Sequence, residues 1–74
     1  MVKVYSRNNC MQCKMVKRYL DDHGVAYQEY NIDTEPKYID YLREQGFQAV
    51  PVVEAPNLTA FSGFRPDQLK TLAS

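Results

Sequence analysis

Apolar and polar positions along the chain switch between two periods, and each switch marks a change of element. From Val2 to Ser6, Val2, Val4 and Tyr5 are interspersed with Lys3 and Ser6. That two-residue period in β-branched and aromatic side chains predicts a strand. Arg7, Asn8 and Asn9 form a polar turn. From about Met11 to His23 the period becomes helical: Cys13, Val16 and Leu20 share a stripe with Tyr19 beside it, while Lys14, Lys17, Arg18 and Asp21 lie elsewhere. Gly24 stands where a helix ends on a left-handed residue. Val25 to Ile32 reads as a second strand.

Asp33 or Thr34 offers the N-cap of a second helix, with Glu35 and Pro36 in its first turn. This helix is predicted to run to about Gln45, with Ile39 and Leu42 facing inward and Tyr38 and Tyr41 flanking. Gly46 is its stop signal. A third strand starts at Pro51, which donates nothing to a ladder, and continues through Val52 and Val53. Ala55, Pro56 and Asn57 form a turn in which Asn57 suits a left-handed conformation. Leu58 to Phe61 is a short fourth strand, Ser62 to Pro66 an irregular link, and about Pro66 to Leu72 a last helix resting on Leu69 and Leu72.

The predicted order is β-α-β-α-β-β-α. The opening βαβ unit makes the first two strands parallel, and the short connection makes the last two an antiparallel hairpin. A four-stranded mixed sheet with helices on both faces follows, as one domain over 1–74. No repeat or low-complexity linker interrupts it.

Composition narrows the function classes. At 45% hydrophobic and 24% charged, the chain is too apolar for disorder. No apolar run approaches the roughly 20 residues that span a bilayer. Nine basic and nine acidic residues give no net charge, and they are interspersed along the sequence. Nucleic-acid or membrane binding through bulk charge is therefore not expected. The opening segment is too short for a secretory core, and two cysteines are fewer than a secreted mini-protein of this size carries. A cytoplasmic location is expected.

Those two cysteines carry the chemistry. Cys10-Met11-Gln12-Cys13 follows a strand and opens a helix. The spacing suits the roughly 4.4–6.8 Å Cα separation of a disulfide. Helix starts stabilise anions through unpaired N–H groups and the dipole, and CxxC thiols placed there ionise more readily than free cysteine. Cys10 is then the attacking thiolate, and Cys13, one turn deeper, the resolving thiol. Three other readings remain. A structural staple closing so short a loop gains only about 2 kcal/mol. A structural zinc site needs four ligands, and this chain supplies two cysteines and a distant His23. Two small buried hydrophobes are the third.

Other positions carry weaker signals. Pro51 after Val50 reads as an ordinary trans proline on base rates, since only about one X-Pro bond in twenty is cis. Arg7 and Lys14 flank the cysteines, where each either supports a thiolate or is a solvated charge. His23 reads as a helix-end residue, and the tyrosines as fillers of a small core. Met11 is expected to be exposed and to offer an apolar docking contact.

CMQC after VYSRNN, with AVPVV further on and FSGFRPDQL near the end, resembles the NrdH redoxins, glutaredoxin-like members of the thioredoxin superfamily. The resemblance spans essentially the whole chain, and SGFRP is its most specific part. It implies a thioredoxin/glutaredoxin-like fold with Pro51 in the cis form. Met11, Gln12 and Val50 would line the partner groove with Pro51, beside a loop of Ser62, Gly63, Phe64, Arg65 and Pro66. It further implies an electron donor for the large subunit of class Ib ribonucleotide reductase, acting as a monomer. No cofactor would be bound, the electrons coming from NADPH through the separate flavoprotein thioredoxin reductase. The family often carries tryptophan before SGFRP; this chain has Phe61. Glutaredoxins that use glutathione carry a glycine pair and an acid in the comparable stretch. Here Pro66 lacks an N–H and Arg65 opposes the glutathione ammonium, so weak glutathione use is expected. A broad-range glutathione-dependent glutaredoxin and a zinc module using CxxC as a half-site are the alternatives.

Overall fold

The computed structural model describes residues 1–73; the final position of the expected 1–74 domain lies outside them. The elements follow the order β1 (Val2–Ser6), α1 (Met11–Asp22), β2 (Tyr27–Asn31), α2 (Lys37–Glu44), β3 (Val52–Ala55), β4 (Leu58–Ser62) and α3 (Pro66–Ala73). They form one mixed sheet with strand order β2-β1-β3-β4. β1 is parallel to β2 and antiparallel to β3, and β3 is antiparallel to β4. This is the thioredoxin/glutaredoxin-like fold.

The alternation in β1 divides the core in two. Val4 pairs with Val53 and Tyr5 with Val52, so the two pairs send their side chains to opposite faces. On one face Val4 and Val53 pack with Val16 and Leu20 of α1, Phe61, and Leu69 of α3. On the other, Tyr5 and Val52 pack with Leu42 of α2, with Tyr30, Tyr38 and Tyr41 around them. Burying each such aliphatic side chain contributes roughly 1.5–3 kcal/mol. The tyrosines are core fillers, as expected. Tyr5 and Tyr41 both donate to the Glu54 carboxylate. Burial, and then the Glu54 contact, pushes the Tyr5 hydroxyl far up.

Both major helices end as their glycines foretell. At the end of α1, Gly24 (φ 67°) donates to Asp21 and Val25 to Leu20. At the end of α2, Gly46 (φ 90°) donates to Arg43 and Phe47 to Leu42. These are paired Schellman bonds. The first consumes the Val25 N–H, which is why β2 starts at Tyr27 and not at Val25.

Three expectations need correction. α2 starts at Lys37 with Pro36 as its uncapped entry; Asp33 and Thr34 are not its cap. The Asp33 carboxylate instead accepts the Asn8 N–H, and the Thr34 hydroxyl donates to the Asn31 carbonyl. Ile39 does not face inward as Leu42 does: it is 37% exposed against 4% for Leu42. Finally, the left-handed asparagine is Asn9 (φ 55°), not Asn57. Asn9 turns the chain between β1 and α1.

Candidate active site

The turn at Asn9 delivers Cys10 in an extended conformation (φ −113°, ψ 107°) as the N-cap of α1. Its Sγ accepts the Cys13 N–H at 3.2 Å, and its carbonyl accepts the Lys14 N–H at 3.1 Å. Cys10 Sγ therefore fills the place that a serine or aspartate oxygen takes in an ordinary cap. Cys10 and Cys13 are joined as a disulfide with Cα atoms 5.2 Å apart. Cys10 is partly exposed, whereas Cys13 is 1% exposed. Attack from outside thus reaches Cys10 first.

The turn is held from the side by β2. Asn31 donates its side-chain amide to the Asn8 side-chain oxygen at 3.0 Å, and Asp33 accepts the Asn8 N–H at 2.9 Å. The Asp33 N–H in turn donates to Asn31 Oδ1 at 2.8 Å. Sequence reasoning missed these residues. Their signal lies in the parallel register, which sets Ser6 opposite Asn31 and so brings the two following loops together.

Three distant segments meet at the cysteines. The Val50–Pro51 peptide is cis, as the family resemblance implied and base rates did not. The Pro51 carbonyl accepts the Gly63 N–H at 2.8 Å. The next N–H, that of Phe64, donates to Gln12 Oε1 at 3.3 Å. Gln12, between the cysteines, is thereby tied to the loop that carries Gly63, and that loop to Pro51. Met11, also between the cysteines, is 70% exposed. Val50 lines a groove of about 500 Å³ with Arg7, Ile32, Leu42, Arg43 and Phe47.

Ser62 closes β4 opposite Val52. Phe64 turns inward against the first core and meets Tyr19 edge-on at 6.4 Å, so it packs more than it presents a surface. Arg65 is bonded to Asp67 at 3.1 Å, an acid that partly offsets its charge. Phe61 is 6% exposed within the core. His23 stacks on Tyr19 at 4.1 Å at the far end of α1, a helix-end residue as expected. Among the described residues no three His, Cys, Asp or Glu side chains converge to hold a metal ion, and no helix is long and apolar enough to cross a membrane.

One polar cluster beside the cysteines was not foreseen. The buried Ser6 hydroxyl donates to Glu29 Oε2 at 2.6 Å, and Lys17 Nζ reaches the same oxygen at 2.8 Å. Burial works to raise the Glu29 carboxyl, but the Lys17 and Ser6 hydrogen bonds more than offset it, and the net shift is downward.

The chain as a whole is similar to known proteins. A family model described as Glutaredoxin matches residues 2–57, ending ahead of β4 and the Ser62–Pro66 link. The glutaredoxin-like protein NrdH of Lactococcus lactis subsp. cremoris is 53% identical over 73 residues, covering 99% of this chain and 100% of that protein. The chain belongs to the glutaredoxin family, in its NrdH branch. The NrdH protein of Salmonella typhimurium is 44% identical over 71 residues, covering 96% of this chain and 86% of its own length. Among solved structures, the NrdH-redoxin of Escherichia coli superposes with a TM-score of 0.91 at 41% identity, covering 96% of this chain and 92% of that one. A glutaredoxin from Archaeoglobus fulgidus superposes at 0.84 with 27% identity, covering 96% and 83%. Family membership and the closed Cys10–Cys13 pair make this chain a thiol-disulfide oxidoreductase.

Proposed function

We propose that this redoxin carries electrons from thioredoxin reductase to class Ib ribonucleotide reductase through the Cys10–Cys13 pair. The observation that carries the mechanism is the position of Cys10 Sγ at the N-terminus of α1, where it accepts the Cys13 N–H. Free N–H groups and the helix dipole there favour a thiolate.

Reduced Cys10, as its thiolate, attacks one sulfur of the partner's disulfide. A Cys10–partner bond forms, and the other partner sulfur leaves as a thiolate that takes a proton. Cys13 then loses its proton and attacks Cys10 Sγ. The Cys10–Cys13 bond forms and the second partner thiol is released. The partner has gained two electrons and two protons. A dithiol of the reductase runs the same exchange in reverse, drawing on NADPH through its own flavin. This chain needs no bound cofactor and acts as a monomer in the cytoplasm.

The cis Pro51 segment, Val50, Met11 and the Gly63–Arg65 loop form the surface around Cys10 against which a partner chain docks. The NrdH names of the relatives support ribonucleotide reductase as the acceptor. The Escherichia coli relative, described by its thioredoxin-like activity profile, supports thioredoxin reductase as the source. Pro66, the first residue of α3, offers no N–H to a glutathione carboxylate, which argues against glutathione as the donor. Arg65 adds less to that argument than its charge suggests, because Asp67 binds it.

The test is NADPH oxidation during insulin-disulfide reduction, driven once by thioredoxin reductase and once by glutathione with glutathione reductase. Turnover with thioredoxin reductase alone is expected. Comparable turnover with glutathione would return the chain to the broad-range glutaredoxins.

A further inference from the structure

A groove between α1 and the edge strand β2 opens onto the disulfide, with Cys10 and Cys13 in its wall. Its charged groups are Arg7 from the β1–α1 turn, Lys14 and Lys17 from α1, and Glu29 from β2. Asp33, beyond β2, is engaged by the Asn8 N–H. Tyr27 of β2 is kept protonated by burial first, and then by the charges of Asp21 and Glu29.

Lys17 follows Cys13 by one helical turn, so the two share a face of α1. Its ammonium is fixed by Glu29 at 2.8 Å, and Glu29 is fixed in turn by the buried Ser6 hydroxyl at 2.6 Å. The Lys17 and Glu29 side chains are 29% and 35% exposed. Their charges are therefore less screened than those of a free surface pair. With its carboxyl held low, Glu29 stays anionic wherever a thiol titrates. The groove onto which the cysteines open is thus lined by a clamped and neutral ion pair, beside Arg7 and Lys14.

We propose that the Lys17–Glu29 pair tunes thiolate formation at the reduced cysteine pair: the Lys17 ammonium favours the thiolate, and Glu29 opposes it and holds that ammonium in place. Glu29 acts on the cysteines chiefly through its own field, and this outweighs what its hold on Lys17 returns. Reduction of the disulfide adds two electrons and two protons to give two thiols. Ionisation of one of them stabilises the reduced form and weakens the pair as a donor. Removing the Glu29 charge therefore makes the redoxin less reducing, and removing the Lys17 charge makes it more so.

This inference rests only on thiol-disulfide exchange at Cys10 and Cys13, not on the identity of either partner. Its test uses the reduced chain alone. The pH profile of iodoacetamide alkylation and the equilibrium with a dithiothreitol redox buffer are measured for Glu29→Gln, Lys17→Met and the double variant. Glu29→Gln is expected to lower the alkylation midpoint by about half a unit and Lys17→Met to raise it by about as much. The reduction potential moves to less negative values in the first and more negative in the second, and the double variant returns toward the parent. Midpoints that stay put, or move the same way in both single variants, overturn the proposal. A purely structural tether predicts the same loss of melting temperature in both variants and no opposed shifts. If Glu29→Gln does not fold, Lys17→Met decides alone, since it leaves Glu29 in place and must raise the midpoint.

Discussion

The Phe64 N–H donates to Gln12 Oε1 across 52 positions of sequence, at 3.3 Å. This bond ties the residue between the two cysteines to the link between β4 and α3, one residue after the Gly63 bond to Pro51. The segments that carry Gln12, Gly63 and Pro51 are therefore joined to one another as well as to the sheet.

Loss of that tie has a predictable cost. Gln12→Ala removes one exposed neutral hydrogen bond, worth about 0.5–1.5 kcal/mol. kcat/KM for a protein disulfide should fall by roughly three- to tenfold. The thermal midpoint should fall by roughly 2–10 °C, the shift that the same energy makes in a domain of this size, because Gln12 lies outside both cores and nothing further is lost. Steady-state kinetics with thioredoxin reductase beside a thermal melt checks both halves.

The different exposure of the two sulfurs predicts different phenotypes. Cys10→Ser should abolish disulfide reduction, since it removes the accessible nucleophile. Cys13→Ser should stall after the first exchange and accumulate a covalent adduct, visible on a non-reducing gel and cleared by dithiothreitol. Full protein-disulfide turnover by Cys13→Ser would show that the second thiol is dispensable.

Gly63 has φ 85° beside the cis proline. A Cβ there would meet Gln12 Oε1 at 3.5 Å, an ordinary contact. Crowding is thus not the obstacle; the left-handed backbone is. Gly63→Ala should destabilise the fold by about 1–2 kcal/mol, read as a lower urea midpoint with an unchanged slope.

The acid limb of stability should report Glu29. Burial pushes this carboxyl up, but Lys17 and Ser6 hold it lower still than its ordinary value. A carboxyl with a lowered native pKa stabilises the fold fully above its unfolded pKa. That contribution is lost as the pH falls through the native value. Urea denaturation should find the parent more stable than Glu29→Gln near neutral pH, with the gap closing in acid. A gap that widens in acid would contradict the sign.

Much of the scaffold was legible because local patterns and tertiary demands agree. β1 and α1 show their periods plainly, and Gly24 and Gly46 mark helix ends that the Schellman bonds confirm. Where local chemistry is spent elsewhere, the pattern misleads. Asp33 looks like a cap for α2, but its carboxylate holds the Asn8 turn, and the helix begins later at Lys37. Asn57 and Asn9 are equally suited to a left-handed turn, and only the path from β1 to α1 selects Asn9. The CxxC pair was readable from its place between strand and helix. The cis state of Pro51 was not, since an X-Pro pair in isolation favours trans. The Ser6–Glu29–Lys17 cluster needs the parallel register of β1 and β2 before its members can be seen to meet.

The most direct test of the donor role is reduction of a ribonucleoside diphosphate by a reconstituted class Ib ribonucleotide reductase, with NADPH, thioredoxin reductase and this redoxin as the only thiol source. Deoxynucleotide should form in proportion to the redoxin added and vanish with Cys10→Ser. No product from redoxin that still reduces insulin through thioredoxin reductase would contradict the ribonucleotide reductase assignment.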